Sequence, residues 1–339
     1  MRFWLTPVFC VAAVTLWAQP NSEFITEEVT FYNGPVKLSG MLYLPSGSGK
    51  FPAVAVTHGS GKESKSQPGY ASLATTLVRE GFAVLVFDKR GVGGSGGTYT
   101  ETPDMSQPAG DLVCAVNLLK SRKEVDNTKI GVYGHSQGGW VAPLAAVMCG
   151  DISFVSVSCG GAISTREQVI YSLWPEFRSK GFKDAQIDSA LVFCRQLYTY
   201  LGTGLGYEDV NPRYDQSVKQ SWFSHFRQMG FADKLPPPSM LKESPFNFFK
   251  MINYDPQATL RMLNVPVLVI LSEKDDSVPS QRAKKLWEDA MHASGNSALL
   301  TVSVVSSDNH FCFERYEGGV RYKPAFASAL TGWLKEKFK

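Results

Sequence analysis

KIGVYGHSQGGWVAPLAAV, residues 129–147, is the stretch that decides the fold. Its first part is apolar and β-branched (Ile130, Val132, Tyr133), the composition of a buried strand. The run stops at Gly134-His135-Ser136-Gln137-Gly138 and gives way to a helix of small residues from Trp140 to Met148. A serine on so sharp a strand-to-helix turn takes a strained backbone conformation. Glycines on either side remove the side chains that would collide there. G-x-S-x-G in this context is the signature of a nucleophile elbow, with Ser136 as the nucleophile. The competing reading is an ordinary Gly/Ser connection. What separates the two is whether the partners of a serine nucleophile lie at other strand ends.

Upstream, FITEEVTFY and VKLSGMLYLP (24–44) alternate around Asn33-Gly34-Pro35, which predicts an antiparallel pair of strands. FPAVAVTHGSG (51–61) is an apolar strand ending in a Gly-rich loop. A helix from Tyr70 to Glu80, the strand 82–88 and a helix over 111–120 lead to the elbow strand. ISFVSVSCGG (152–161) is again apolar and β-branched. The alternation resumes at VPVLVIL (265–271), a helix from Ser280 to Met291, LLTVSVV (299–305) and a closing helix from Lys323 to Lys337. Apolar strands alternating with helices indicate a mostly parallel sheet covered on both faces. Residues 162–260 break the pattern with aromatic-rich helical segments and LPPPSM. They are expected to form a helical lid over the carboxyl edge of the sheet, the alternative being an interaction or dimerisation module. The core then comprises 19–161 and 261–339. Trp174, Trp222 and the Phe246–Phe249 cluster are expected to serve as lid core first and pocket lining second.

A serine hydroxyl needs a general base, and the base needs a carboxylate to fix its tautomer and stabilise its cation. Five histidines are available. His135 adjoins Ser136 and on a tight turn points away from it. His58 sits in a strand-end loop. His225 and His292 belong to helical stretches, where solvent or lid faces are the default. His310 follows the strand 299–305 across a short polar loop and so reaches the carboxyl edge that carries Ser136; it is the expected base. For the acid, SEKDDSVP after the strand 265–271 offers Asp275 and Asp276. Asp308, on the same loop as His310, is less suited to reach the far ring nitrogen. The elbow itself supplies one oxyanion donor, the backbone N–H of Gln137.

These strand ends, in Ser…Asp…His order, resemble those of an α/β-hydrolase. The likeness is closest to bacterial secreted esterases that are also similar to acylaminoacyl-peptidase catalytic domains. The resemblance implies an eight-stranded, mostly parallel sheet with helices on both faces and a helical lid. It reads Ser272–Pro279 as the family's G-x-x-D-x-x-V-P acid loop with Ser272 in place of glycine, which puts the triad acid at Asp275 and leaves Asp276 as the alternative. His58-Gly59-Ser60-Gly61 resembles the H-G-x-G oxyanion loop, with the Ser60 N–H as second donor and Gly59 as the neighbouring alternative. Asp88-Lys89-Arg90-Gly91-Val92-Gly93-Gly94-Ser95 resembles the relatives' D-x-R-G-x-G-x-S and implies a structural loop near the site; Arg90 binding an acidic substrate group is the competing role. The loop lacks the Gly-Lys-Ser/Thr ending that phosphate cradling uses. Pro143 departs from an ideal elbow helix and is expected to bend it.

The implied activity is hydrolysis of small-molecule carboxylic esters, with no metal or organic cofactor. A peptidase or amidase using the same triad, and a hydrolase-fold binding protein without turnover, are the alternatives. Basic residues number 34 and acidic residues 31, so the charge of +3 carries no footprint for nucleic acid or an anionic membrane. The first residues, MRFWLTPVFCVAAVTLWAQ, read as a signal peptide cleaved after Ala18, with an uncleaved anchor as runner-up. Export, to a periplasm or beyond, and no lasting membrane association after cleavage are therefore expected. Of six cysteines, Cys10 leaves with the signal. The other five lack zinc-ligand spacing, and Cys114, Cys149 and Cys159 read as core thiols. One disulfide is expected at most, without an assigned pairing.

Overall fold

Apolar runs become strands here because both faces of the sheet are covered. The computed structural model describes residues 23–100, 104–228, 231–242 and 251–339. The signal-peptide and Phe246–Phe249 expectations lie outside the described residues. Strands β1 (Phe24–Asn33) and β2 (Val36–Pro45) pair antiparallel across a turn at Gly34. Then β3 (Phe51–Thr57), α1 (Pro68–Arg79), β4 (Ala83–Phe87), α2 (Ser106–Lys120), β5 (Val125–His135), α3 (Gly138–Met148) and β6 (Phe154–Ser158) alternate. Helix α3 runs on through Pro143. The chain next forms α4 (Thr165–Ser179), α5 (Asp184–Thr203), α6 (Tyr207–Ser217), α7 (Ser224–Gln228) and α8 (Gln257–Arg261). It returns to the sheet with β7 (Val267–Ser272), α9 (Ser280–Ala293) and β8 (Leu300–Val305), and closes with β9 (Phe313–Tyr316), β10 (Gly319–Tyr322) and α10 (Pro324–Phe338).

The eight-stranded sheet has the order β1-β2-β4-β3-β5-β6-β7-β8, parallel from β4 to β8. Alternate residues feed opposite faces. Ala53, Ala55, Val132 and Val269 join Leu112, Trp140 and Trp287 on one side; Val54, Val56, Tyr133 and Ile270 join Leu73, Leu77 and Phe326 on the other. A third cluster, including Phe177, Phe193, Tyr214, Trp222 and Phe226, belongs to the segment between β6 and β7. Trp222 is buried there, whereas Trp174 is exposed. Among the described residues no helix is long and apolar enough to cross a membrane. The hairpin β9–β10, between His310 and the last helix, was not expected from the sequence. Its ring-on-ring packing, Phe313 on Tyr322 at 4.5 Å and Tyr322 on Phe326 at 4.3 Å, ties it to α10.

Parallel strands carry their following loops to one edge. Because β3, β5, β6, β7 and β8 are consecutive neighbours, the loops bearing Ser60, Ser136, Cys159, Asp275 and His310 line up along it.

Candidate active site

Ser136 occupies the left-handed region at φ 52°, and its N–H donates to Ser158 O at 2.9 Å. A non-glycine residue held there costs about 1 kcal/mol or more, and only dense surroundings keep it so. Those surroundings leave no room for side chains. A Cβ on Gly134 would stand 2.0 Å from Gly138 O, and one on Gly160 would stand 2.4 Å from Ser136 O. The turn thus closes on itself and against the end of β6.

His310 is buried, with Nδ1 2.9 Å from both carboxylate oxygens of Asp275. Asp275 is itself fixed, its Oδ1 accepting from the N–H groups of Ser277 and Val278 at 2.8 and 2.9 Å. Asp276 is exposed and accepts from the Ser277 hydroxyl instead. Asp308 lies at the surface, paired with Lys323. With Nδ1 occupied, Nε2 is the ring nitrogen left for the cavity that both His310 and Ser136 line. No hydrogen bond joins Ser136 Oγ to His310; catalytic hydrogen bonds of this kind are often long until a substrate tightens them.

The loop after β3 settles which N–H groups are free. The Gly59 N–H donates to the Tyr70 hydroxyl at 2.8 Å, and that hydroxyl donates to Glu63 Oε2 at 2.6 Å. Burial first, then the Glu63 carboxylate, push the Tyr70 pKa well up, which keeps the hydroxyl protonated. Gly59 is therefore occupied, while the N–H groups of Ser60 and Gln137 donate to nothing among the described residues. Behind them, Lys89 Nζ donates to Gly59 O, to Gly61 O at 3.1 Å and to Gln137 Oε1 at 3.1 Å. The rest of the 88–95 loop is structural. Asp88 accepts from the Gly94 and Lys65 N–H groups, and Arg90 is held by Asp111 through two contacts of 2.5 and 3.1 Å. Asp111 also accepts from Asn33, so the Arg90 charge is spoken for.

The remaining histidines take other partners. His135 is buried, its Nδ1 hydrogen-bonded to Ser158 at 3.0 Å rather than to Ser136; burial and then His310 hold its pKa well down. His58 packs edge-on against Tyr70, with burial, then Lys89, lowering its pKa to about 3. His225 is buried in the lid core beside Phe177 rather than on a face, with Glu176 3.1 Å away; His292 is exposed.

The five described cysteines are free thiols, Cys114 half-buried and the others buried. The sulfurs of Cys159 and Cys312 lie 3.8 Å apart, with Cys159 beside Asp275 and His310. Cys159, Asp275 and His310 form the one cluster of metal-ligand atoms among the described residues. Its chemistry does not suit a metal. Asp275 and His310 bind each other, and the Cys312 thiol, then burial, hold the Cys159 pKa well above the ordinary thiol range.

The cavity over Ser136 has a volume of about 280 Å³ and is roofed by Thr165, Gln168, Val169 and Ser172 of α4, with Trp140, Phe311 and Glu63 around it. Helix α4 is docked at several points. Tyr171 donates to Asp275 O at 3.2 Å, Arg282 pairs with Glu167, and the Thr165 N–H donates to Tyr254 O.

Residues 50–300 match the family model described as Serine aminopeptidase, S33. The chain belongs to that family. This S33-type protein is a serine hydrolase of the α/β-hydrolase superfamily. It is similar to Thiohydrolase aneE of Aspergillus aculeatus, 26% identical over 281 residues, which are 79% of this chain and 83% of that protein. Esterase EstD of Thermotoga maritima is 33% identical over 134 residues, 36% of this chain and 30% of EstD, so the chain spans under a third of that relative. The Pyrococcus furiosus esterase Pf2001 superposes with a TM-score of 0.58 at 18% identity, covering 93% of this chain and 92% of its own. Est1E of Butyrivibrio proteoclasticus, solved with ferulic acid bound, gives 0.54 at 18% identity, covering 91% and 96%. At such identities the likeness speaks for the shared fold.

The Tyr70–Glu63 pair and Lys89 were not singled out from the sequence. Lys89 carried one usable signal: it lies two residues past the end of β4, the strand beside β3.

Proposed function

We propose that this hydrolase cleaves carboxylic esters through an acyl-enzyme on Ser136. The observation that carries the reading is the pairing of buried Asp275 with Nδ1 of His310, which lines the cavity that also holds the strained Ser136. In this reading Asp275 fixes the imidazole with its proton on Nδ1, so that Nε2 takes the Ser136 proton as Oγ attacks the ester carbonyl. The N–H groups of Ser60 and Gln137 receive the oxyanion; losing one such donor typically costs about 100- to 1000-fold in rate. His310 then protonates the leaving alcohol, and water resolves the acyl-enzyme by the same route. Export is part of the proposal and rests on the N-terminal sequence alone.

A second reading, thioester or amide cleavage by the same residues, is favoured by the thiohydrolase name of the aneE relative and the aminopeptidase name of the family. The test is a panel of p-nitrophenyl and naphthyl esters against matched thioesters and anilides, with a fluorophosphonate probe to label the nucleophile. Ester turnover well above the others, abolished by Ser136→Ala, is expected. Amide or thioester turnover rivalling that of esters would replace the ester assignment. A chain that the probe leaves unlabelled would be a binding protein instead.

A further inference from the structure

We propose that Lys89 is a positioning residue of the oxyanion hole, setting both of its N–H donors at once. The inference rests on the Ser136 acyl-transfer reading and deepens it. Lys89 Nζ donates to three acceptors in the two segments that supply those donors: Gly59 O, Gly61 O and Gln137 Oε1. The Gly59 carbonyl belongs to the same peptide unit as the Ser60 N–H. In a planar trans peptide the C=O and N–H point in opposite directions. Drawing the carbonyl onto Lys89 therefore turns the Ser60 N–H away from it, toward the side where the cavity lies. The Gly61 contact holds the loop one residue beyond Ser60. The Gln137 contact reaches across to the elbow, whose backbone N–H is the second donor.

The charge adds to the geometry. A hydrogen bond accepted by a carbonyl polarises its peptide and strengthens the N–H of that unit as a donor, more so when the partner is an ammonium in a partly buried setting. Lys89 touches no reacting atom, so its effect passes through Ser60 and Gln137. Tyr70 anchors the same loop from the other side through the Gly59 N–H. The Gly59–Ser60 segment is thus gripped by both of its polar flanks.

Lys89→Met keeps the unbranched stem to within one atom of its length and removes all three donors. On an activated ester, kcat is expected to fall about 10- to 100-fold with KM within about threefold, part of the value of a whole donor. The discriminating readout is a pair of inhibitors. A trifluoromethyl ketone adds to the serine and places an oxyanion in the hole; the matched methyl ketone adds little. The trifluoromethyl ketone should weaken by the same factor as kcat/KM while the methyl ketone holds its affinity. A kcat within twofold of wild type, or equal weakening of both ketones, overturns the proposal, the second because it marks a general packing defect. If Lys89→Met does not fold, Lys89→Gln decides. Its amide has two N–H groups for three acceptors, so a smaller loss in the same direction is expected and wild-type kcat overturns the proposal. Ser136→Ala runs alongside. Hydrolysis surviving in it overturns the Ser136 reading and this one together, whereas an inactive Ser136→Ala beside a fully active Lys89→Met overturns only the role of Lys89.

Discussion

His310 Nδ1 stands 2.9 Å from each carboxylate oxygen of Asp275, while the next carboxylate in the chain, Asp276, takes a hydrogen bond from Ser277 at the surface. Two adjacent acids thus have separable roles. Asp275→Asn should keep the fold and lower kcat about 10³- to 10⁴-fold, because an amide no longer fixes the imidazole tautomer. Asp276→Asn should stay within about threefold of wild type. Steady-state kinetics of the two variants on one ester checks the assignment, and a larger loss in the second would move it.

Ser136 should be a site where activity opposes stability. Glycine relieves a left-handed backbone conformation and alanine does not, so Ser136→Gly is expected to be about 1 kcal/mol more stable than Ser136→Ala, both being inactive. Urea denaturation of the two proteins measures the difference. Equal midpoints would mean that the turn is unstrained.

Tyr70→Phe removes the acceptor of the buried Gly59 N–H and the donor to Glu63 together. Leaving a buried donor unsatisfied costs about 1–3 kcal/mol. We expect that loss in stability, with kcat down about tenfold because the Ser60 peptide is no longer gripped on one flank. Thermal melts and kcat on the same preparation separate the two effects.

Arg90→Met should destabilise without changing recognition. Arg90 and Asp111 have side chains only 17% and 5% exposed, and removing one member of such a buried pair costs about 3 kcal/mol. KM for neutral and acidic esters should shift alike. A KM increase confined to acidic esters would instead show Arg90 reaching the substrate.

His58 sets a pH dependence of known sign. Burial, then Lys89, lowers its pKa to about 3 in the folded chain, while Asp88 acts the other way and Tyr70 covers the ring; unfolded, the ring titrates near 6.5. Between those values the unfolded state binds the extra proton, so stability falls as the pH falls, with a slope of roughly 1.4 kcal/mol per unit for one group. His135 is shifted the same way and adds to the slope. His58→Phe should flatten the dependence of unfolding free energy on pH between about 6 and 4. An unchanged slope would mean that the ring is protonated in the fold.

Much of the sheet was legible because a strand covered on both faces must be apolar throughout, and the loops that end such strands need glycine and polar residues. That marks β3 through β7 and the loops carrying Ser60, Ser136 and Asp275; β8, a half-exposed edge strand, and the loop to His310 were read from its β-branched run. The spacing of Asp275 and Asp276 left the acid open, since neighbours on a loop differ only in which way they face; burial against His310 separates them. The β9–β10 hairpin was missed because FERYEGGVRY is short, largely exposed and continuous with a helix. Lys89, Glu63 and Tyr70 were illegible for a deeper reason. Lys89 meets Gln137 across 48 positions of chain, and Tyr70 meets Gly59 and Glu63 only because the loop after β3 folds back onto the start of α1. No local pattern marks such meetings. His225 looked like a surface residue until the aromatic core of the lid closed around it.

That aromatic core shares no residue with the two cores flanking the sheet. Its consequence is evolutionary. Substitutions inside the core shared by α4 to α7 can change the molecules those helices admit without disturbing the packing on either face of the sheet. New specificity in this scaffold is then a matter of recasting one module, with Tyr171 and Glu167 as the seams that any replacement must match.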